Sequence, residues 1–283
     1  MKPWPRNKTF LQRWMNRKFL KEYPRLTIIT PSYNQGQFLE ETILSVLNQD
    51  YPNLEYIVID GGSTDSSVEI IKKYEHRLAY WVSEKDKGQA DAINKGLAMA
   101  NGEIIGWINS DDIYLPWSFR NAISFLNNNK DISMVSGGRM LINEKTDVIG
   151  FSFPTSYNPR NGYTIAQETV FWRSSVNRTI GVLDEKLHFA MDVDFFIRIY
   201  LSFKIATIPH LQGCFRCYAE NKSSTMQETA RANADVIRKR YFDGRSEKDW
   251  KDHRPVHRYS NLRVLLYPCT TLLPMLKRKF SSQ

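Results

Sequence analysis

Two adjacent carboxylates, Asp111 and Asp112, close the stretch Trp107-Ile108-Asn109-Ser110-Asp111-Asp112. Carboxylates side by side repel each other, and a hard divalent cation shared with phosphate oxygens relieves that repulsion. A second acidic stretch, Asp60-Gly61-Gly62-Ser63-Thr64-Asp65, contains two glycines that permit a tight turn and close approach of backbone to a ligand. A third, Asp192-Val193-Asp194, opens a run with helical apolar spacing. Solvated loops and helix caps use the same residue types, so the elements that carry these acids decide what they can do.

Each of the first two acidic stretches follows an apolar run. Ile104, Ile105, Trp107 and Ile108 read as a buried strand, and so does Leu54-Glu55-Tyr56-Ile57-Val58-Ile59. An earlier run, Leu26 to Thr30, breaks at Pro31-Ser32-Tyr33-Asn34-Gln35-Gly36 before a predicted helix over 39–47. Ser66-Ser67-Val68-Glu69 has capping-box spacing for a helix through Tyr74. Ala92, Ile93, Leu97 and Ala100 space helically, and Gly102 is the expected left-handed residue after that helix. Alternating strand and helix signals predict an α/β fold whose sheet is mostly parallel with helices on both faces. Right-handed crossovers put every parallel strand's C-terminal end on one side, so Tyr33, Asp60 and Asp111 should meet in one crevice. At 283 residues and 42% hydrophobic, the chain can bury such a core without disulfides or structural metal.

With those blocks in place, the chain resembles the inverting family 2 glycosyltransferases, which have the GT-A, or nucleotide-diphospho-sugar transferase, fold. The blocks are Thr30-Pro31-Ser32-Tyr33-Asn34, Val58 to Asp65, Asp86-Lys87-Gly88-Gln89-Ala90-Asp91 through Gly96, Asn109-Ser110-Asp111-Asp112 and Ala190 to Asp194. The resemblance implies that Tyr33 and Pro31 pack on a nucleobase, that Asp60 accepts hydrogen bonds from base or ribose, and that Asp91 and Asn109 also serve the nucleotide. It implies a Mn²⁺ or Mg²⁺ ion on Asp111, with Asp112 beside it, holding the diphosphate of a donor, most simply a UDP-sugar. Asn109 stands where the family's motif has its first acid, and Gly61 stands where many relatives have a second acid after Asp60. Inversion is a single displacement and requires one base on the face opposite the leaving group, and Asp192 matches the family's base position. Gln167, Glu168 and Asp194 fall on the acceptor side, although Val170 to Trp172 read equally well as a buried edge strand, and Asp194 as a helix cap. Lys87 is near enough to Gly88 to reach a phosphate, or else is simply solvated.

The expected organisation is a basic amphipathic segment over 1–25, a transferase domain over 26–224 with a nucleotide-sugar half (26–115) and an acceptor half (116–224), and a C-terminal helix with a basic, apolar tail over 225–283. Net charge is +9, yet residues 1–25 hold eight Lys or Arg against one acid, and 251–283 hold seven against one. The body between is slightly acidic, which argues against a nucleic-acid-binding protein. A nucleotidyltransferase would need a glycine-rich basic phosphate loop after the first strand, where Pro31-Ser32-Tyr33-Asn34 stands. Phe10, Leu11, Trp14, Met15 and Phe19 interleaved with Arg13, Arg17, Lys18 and Lys21 suit an anionic membrane surface, and they equally suit packing on the domain. The expected setting is cytoplasmic, peripheral at the inner membrane face, near a glycan or lipid-linked acceptor of surface polysaccharide synthesis. Cys214 and Cys217 with His253 and His257 offer a zinc reading, weakened by Pro255 between the histidines.

Overall fold

The computed structural model describes residues 22–153, 165–243 and 256–257. The expectations placed on the two terminal tails and on His253 lie outside them. In chain order the elements are β1 (Leu26–Ser32), α1 (Gly36–Leu47), β2 (Leu54–Asp60), α2 (Ser67–Tyr74), β3 (Tyr80–Ser83), α3 (Gln89–Met99), β4 (Ile104–Trp107), β5 (Ile113–Tyr114) and α4 (Ser118–Asn128). There follow β6 (Met134–Ile142), β7 (Val148–Ser152), β8 (Phe171–Arg173), α5 (Ser175–Ile180), α6 (Met191–Ser202), β9 (Ile205–Arg216), α7 (Lys222–Thr225), α8 (Gln227–Phe242) and β10 (Val256–His257).

One sheet runs in the order β10-β9-β6-β8-β4-β1-β2-β3, with β5 on β9 and β7 on β6. Strands β3, β2, β1 and β4 pair in parallel. Successive residues of a strand face opposite sides, and both faces are covered. Ile28 and Ile104 join a core with Leu39 and Ile43 of α1, Ile71 of α2 and Phe119 and Ile123 of α4. Their neighbours Ile29 and Ile105 join a second core with Ile93 of α3 and Phe195, Phe196 and Ile199 of α6. Burial on both sides is why these strands read as continuous apolar runs rather than alternating ones.

The expected fold class is therefore the observed one, with local corrections. Phe171–Arg173 is an interior strand, antiparallel to both β4 and β6, not an edge. Strand β3 is short and only partly buried, which leaves no apolar run to read. Helix α1 begins three residues before the expected start, at Gly36. Ser66 makes no side-chain cap on α2; the carboxylate of Asp65 accepts from the Ser67 amide at 2.9 Å and from the Gly36 amide at 2.8 Å. Asp65 thus joins the starts of α1 and α2.

Gly102 is also corrected. It is not left-handed, and α3 ends through an extended Ala100. Glycine is required because a Cβ at 102 would lie 2.6 Å from the Thr27 amide nitrogen and 2.8 Å from the Ile104 carbonyl. Backbone cannot yield as a flexible side chain can. Gly102→Ala should therefore cost about 2–3 kcal/mol, the scale of overpacking a core, read as a lower urea midpoint with an unchanged slope.

Candidate active site

The loops after β1 and β2 are bound to each other before any ligand is considered. Asn34, in the left-handed region at φ 51°, accepts from the Thr64 amide at 2.9 Å, and its own amide donates to Ser63 Oγ at 2.8 Å. The Gly61 amide donates to the Ser32 carbonyl at 2.8 Å. Beside this seam Tyr33 is 61% exposed, while Pro31 is buried in β1. Asp60 is 0% exposed, and its carboxylate accepts from the Gly62 and Ser63 amides and from the Ser63 and Ser83 hydroxyls. It builds the turn rather than presenting a free carboxylate. A side chain at Gly61 would meet Asp86 Oδ2 at 2.6 Å, so the Asp86 carboxylate fills the room that the missing second acid leaves.

Past β3, Asp91 braces the start of α3, accepting from the Lys87 amide at 3.0 Å and pairing with Lys95 at 3.6 Å. Asn94, which has the same helical spacing, bonds to the backbone of Leu183. Lys87 is a surface residue, its side chain 80% exposed and 4.0 Å from Glu185.

At the end of β4 the acids separate into two roles. One Asp111 oxygen accepts from the Tyr218 hydroxyl at 2.8 Å, and Gln35 Nε2 donates to that hydroxyl at 3.1 Å. Asp112, expected to stand beside Asp111 as a second ligand, is 1% exposed; it accepts from the Arg216 amide at 3.0 Å and faces Asn109 Nδ2 at 3.4 Å. Asp112 therefore joins β9 rather than the open crevice. Asn109 Oδ1 accepts from Gln89 Nε2 at 2.7 Å, and Gln89 Oε1 accepts from Lys222 Nζ at 3.1 Å.

Asp192 lies in the first turn of α6. Burial raises its carboxyl above the usual carboxylate range, against the pull of Lys222 and Arg139. Glu168, 1% exposed, stands 3.7 Å from Arg139, and burial raises it too, with the charges of Asp192 and Asp111 adding to the effect. Asp112 is pushed up by burial and then by Asp111 and Glu168. Asp111 is likewise raised by burial. Glu168 thus feels both Asp111 and Asp192, although the three come from separate parts of the chain. Glu168 Oε1 and Gln167 Oε1 are buried without a partner among the described residues. Gln167 Nε2 holds the Trp107 carbonyl at 2.9 Å.

Asp194 is corrected outright. It is 1% exposed and accepts from Arg198 at 2.9 Å and from Arg240 and Tyr241 at 2.7 Å each, so it fastens α8 to α6 and faces no crevice. Cys214 packs with Ile113, Leu115, Met140 and Ile142 rather than toward a metal, and burial pushes its thiol up. Among the described residues no three of His, Cys, Asp and Glu gather as a preformed metal cage. Sequence reasoning passed over Arg139 and Lys222, and gave no site role to Asp86, which it quoted only within a family block, or to Tyr218, noted only as standing where relatives often have a histidine. Asp86 stands two residues before Gly88, whose φ is 115°, at the start of a helix.

The family model described as glycosyl transferase family 2 matches residues 27–196. An uncharacterized glycosyltransferase of Mycobacterium tuberculosis is 32% identical over 189 residues, covering 65% of this chain and 72% of that protein. One of Rickettsia typhi is 30% identical over 192 residues, covering 62% and 58%. The chain spans between about a third and three fifths of the Rickettsia relatives. Among solved structures, a mannosyltransferase of Pyrobaculum calidifontis in complex with GDP-Man and Mn²⁺ superposes with a TM-score of 0.61 at 20% identity, covering 94% of this chain and 78% of that one. TarS of S. aureus (residues 1–349) in complex with UDP-GlcNAc gives 0.57 at 19%, covering 81% and 79%. The fold is GT-A.

Two measurements follow from the geometry. A buried acid whose folded pKa is raised holds its proton more tightly when folded, so its contribution is complete below the ordinary carboxylate range and is lost as pH rises toward the folded value. Asp112→Asn should therefore gain melting temperature relative to wild type as pH is raised from about 4 to 8, and a constant difference would refute the raised acid. Asp194→Asn should destabilise by about 2 kcal/mol, a figure reduced because its arginine partners are partly exposed, with nucleoside diphosphate binding unchanged; weakened binding would return Asp194 to the site.

Proposed function

Because the chain belongs to glycosyl transferase family 2, we propose that it moves one sugar, with inversion, from a nucleoside diphosphate donor to a hydroxyl of a glycan or lipid-linked acceptor. The observation that carries this reading is that the buried Glu168, with an unpartnered oxygen among the described residues, feels the charges of both Asp111 and Asp192. The GDP-Man and UDP-GlcNAc held by the two structural neighbours support a nucleotide-sugar donor, and we take a UDP-sugar as the first candidate.

Tyr33 offers an exposed ring on which a base can stack, at the seam where Pro31 leads out of β1. Asp60 holds the turn that frames the base, and Asp91 holds the loop before α3. Asn109 brings a neutral amide to the ribose side. The residues fit a divalent ion held partly by substrate: Asp111 would supply one carboxylate, and phosphate oxygens and water the other ligands. When bound, such an ion stabilises negative charge gathering on the departing nucleoside diphosphate. Asp112 supports Asp111 from behind through β9.

The acceptor oxygen forms its bond to the anomeric carbon as the bond from that carbon to the phosphate oxygen breaks, and the hydroxyl proton passes to Asp192. A raised pKa makes Asp192 a stronger proton acceptor than a solvated aspartate, provided it is ionised. Turnover should therefore fall as pH drops through its raised value. Glu168 and Gln167, each with a buried oxygen lacking a partner among the described residues, are suited to receive acceptor or sugar hydroxyls. Building a surface polysaccharide or glycolipid is the setting we favour. No described helix is long and apolar enough to cross a membrane.

A screen of UDP-, GDP- and dTDP-sugars with Mn²⁺ identifies the donor. With it, Asp192→Asn should lower turnover by about 10²–10⁴, the range for loss of a general base, while donor affinity stays within a few-fold of wild type. Turnover near wild type would remove Asp192 from the mechanism.

A further inference from the structure

We propose that Lys222 is a diphosphate ligand of the donor site, supplying from the C-terminal side positive charge that this chain's altered acidic motif handles differently from an acid pair. The inference rests on the transferase reading above. Three observations meet at this lysine. Its ammonium donates to Gln89 Oε1 at 3.1 Å, and Gln89 donates to Asn109 at 2.7 Å, so an unbroken hydrogen-bonded chain links Lys222 to the residue two before Asp111. Its positive charge also acts on Asp192, the acid assigned above as the base. Finally, Lys222 is only partly exposed, unlike the solvated Lys87.

The chemistry follows from the substitution at 109. An aspartate there would repel phosphate and would need a cation close by to bind it. Asn109 removes one negative charge, and its side-chain oxygen is already taken by Gln89. A lysine held at the end of that amide chain sees less compensating anion and is available to a phosphate. Its present hydrogen bond goes to a neutral amide oxygen rather than to a carboxylate, and exchanging that oxygen for a phosphate oxygen replaces a weaker acceptor with a charged one. Burial disfavours the ammonium, so an arriving anion also relieves a desolvation cost. A consequence is that the nucleoside diphosphate should bind measurably before any divalent ion is added.

The test is calorimetric titration of UDP, GDP and dTDP into wild type, Lys222→Met and Lys222→Arg in the presence of EDTA, with the matching nucleosides as controls. Lys222→Met should weaken the preferred nucleoside diphosphate tenfold or more, the effect of losing one hydrogen bond between charged groups. Lys222→Arg should retain most of the affinity, and the nucleoside, which lacks phosphate, should bind all three proteins alike. The Mn²⁺ concentration needed for half-maximal binding should rise in the methionine variant. Equal diphosphate affinity in wild type and Lys222→Met, or an equal loss for the nucleoside, overturns the role of Lys222 alone. If Lys222→Met does not fold, Lys222→Gln carries the same comparison. Failure of wild type to bind any of the three diphosphates, with or without Mn²⁺, would instead overturn the transferase reading.

Discussion

The crevice depends on one buried guanidinium. Arg216, at the end of β9, is fully buried by its side chain, and an arginine cannot shed its charge to avoid the cost. Every donor must therefore find an acceptor. Arg216 reaches the Asp111 carbonyl at 2.8 Å, the Asn143 and Glu144 carbonyls and Thr146 Oγ1 at 3.0–3.1 Å, and Glu41 at 2.6 Å, while its plane lies over the Phe38 ring at 4.4 Å. These partners belong to α1, the acidic loop and the β6–β7 turn. Because the fork is rigid, their relative positions are fixed together. The same residue's amide holds Asp112, so the main chain and the side chain of Arg216 together set both acids of the motif. Removing the guanidinium would leave Glu41 and three carbonyls without their donor, a loss of the kind that breaks a buried network rather than a single contact.

Around this fixed point the protein keeps an electrostatic arrangement that folding alone would not favour. Asp111, Asp112, Glu168 and Asp192 are all raised by burial, and several raise one another. The positive groups that oppose them, Arg139 and Lys222, are themselves partly desolvated or short of partners; Arg139 Nε has none among the described residues. Perturbed acids gathered in a cleft, with unsatisfied polar atoms beside them, are characteristic of a site built for a ligand. Asp194 makes the contrast plain. It is just as buried and is two residues from Asp192, but three donors satisfy it, and its pairs are structural.

What was legible in the sequence follows from which interactions are local. The strand runs Leu26–Ser32 and Leu54–Asp60, and the apolar face of α6, are periodic patterns confined to one element, and they appear where expected. Asp60, Asp111 and Asp192 were legible as strand-end or helix-start acids for the same reason. The bonding of Asp60, Asp111 and Asp112 was not, because Ser83, Tyr218 and Arg216 lie 23, 107 and 104 residues away from the acids they touch. Glycines were misread for a related reason: Gly102 was taken as a helix terminator, whereas a contact with β1, 75 residues back in sequence, dictates it. The β8 strand shows the same limit, since three apolar residues cannot tell an edge from the middle of a sheet.

Asp111 shows how this long-range bonding bears on chemistry. In the protein alone its carboxylate is held by a phenol, and burial together with Asp111 itself pushes that phenol's pKa up, so Tyr218 remains a proton donor at any ordinary pH. A carboxylate engaged by a neutral donor is oriented but not neutralised. Burial disfavours a negative charge at the end of β4, so a positive partner arriving there is favoured. With Asn109 contributing no charge and Asp112 turned to β9, one carboxylate cannot by itself hold a hard cation tightly, because such ions require several oxygen ligands. Phosphate oxygens of the proposed donor would supply further ligands of the right hardness. On the function proposed above, cation and diphosphate would be coupled, each making the site more favourable for the other.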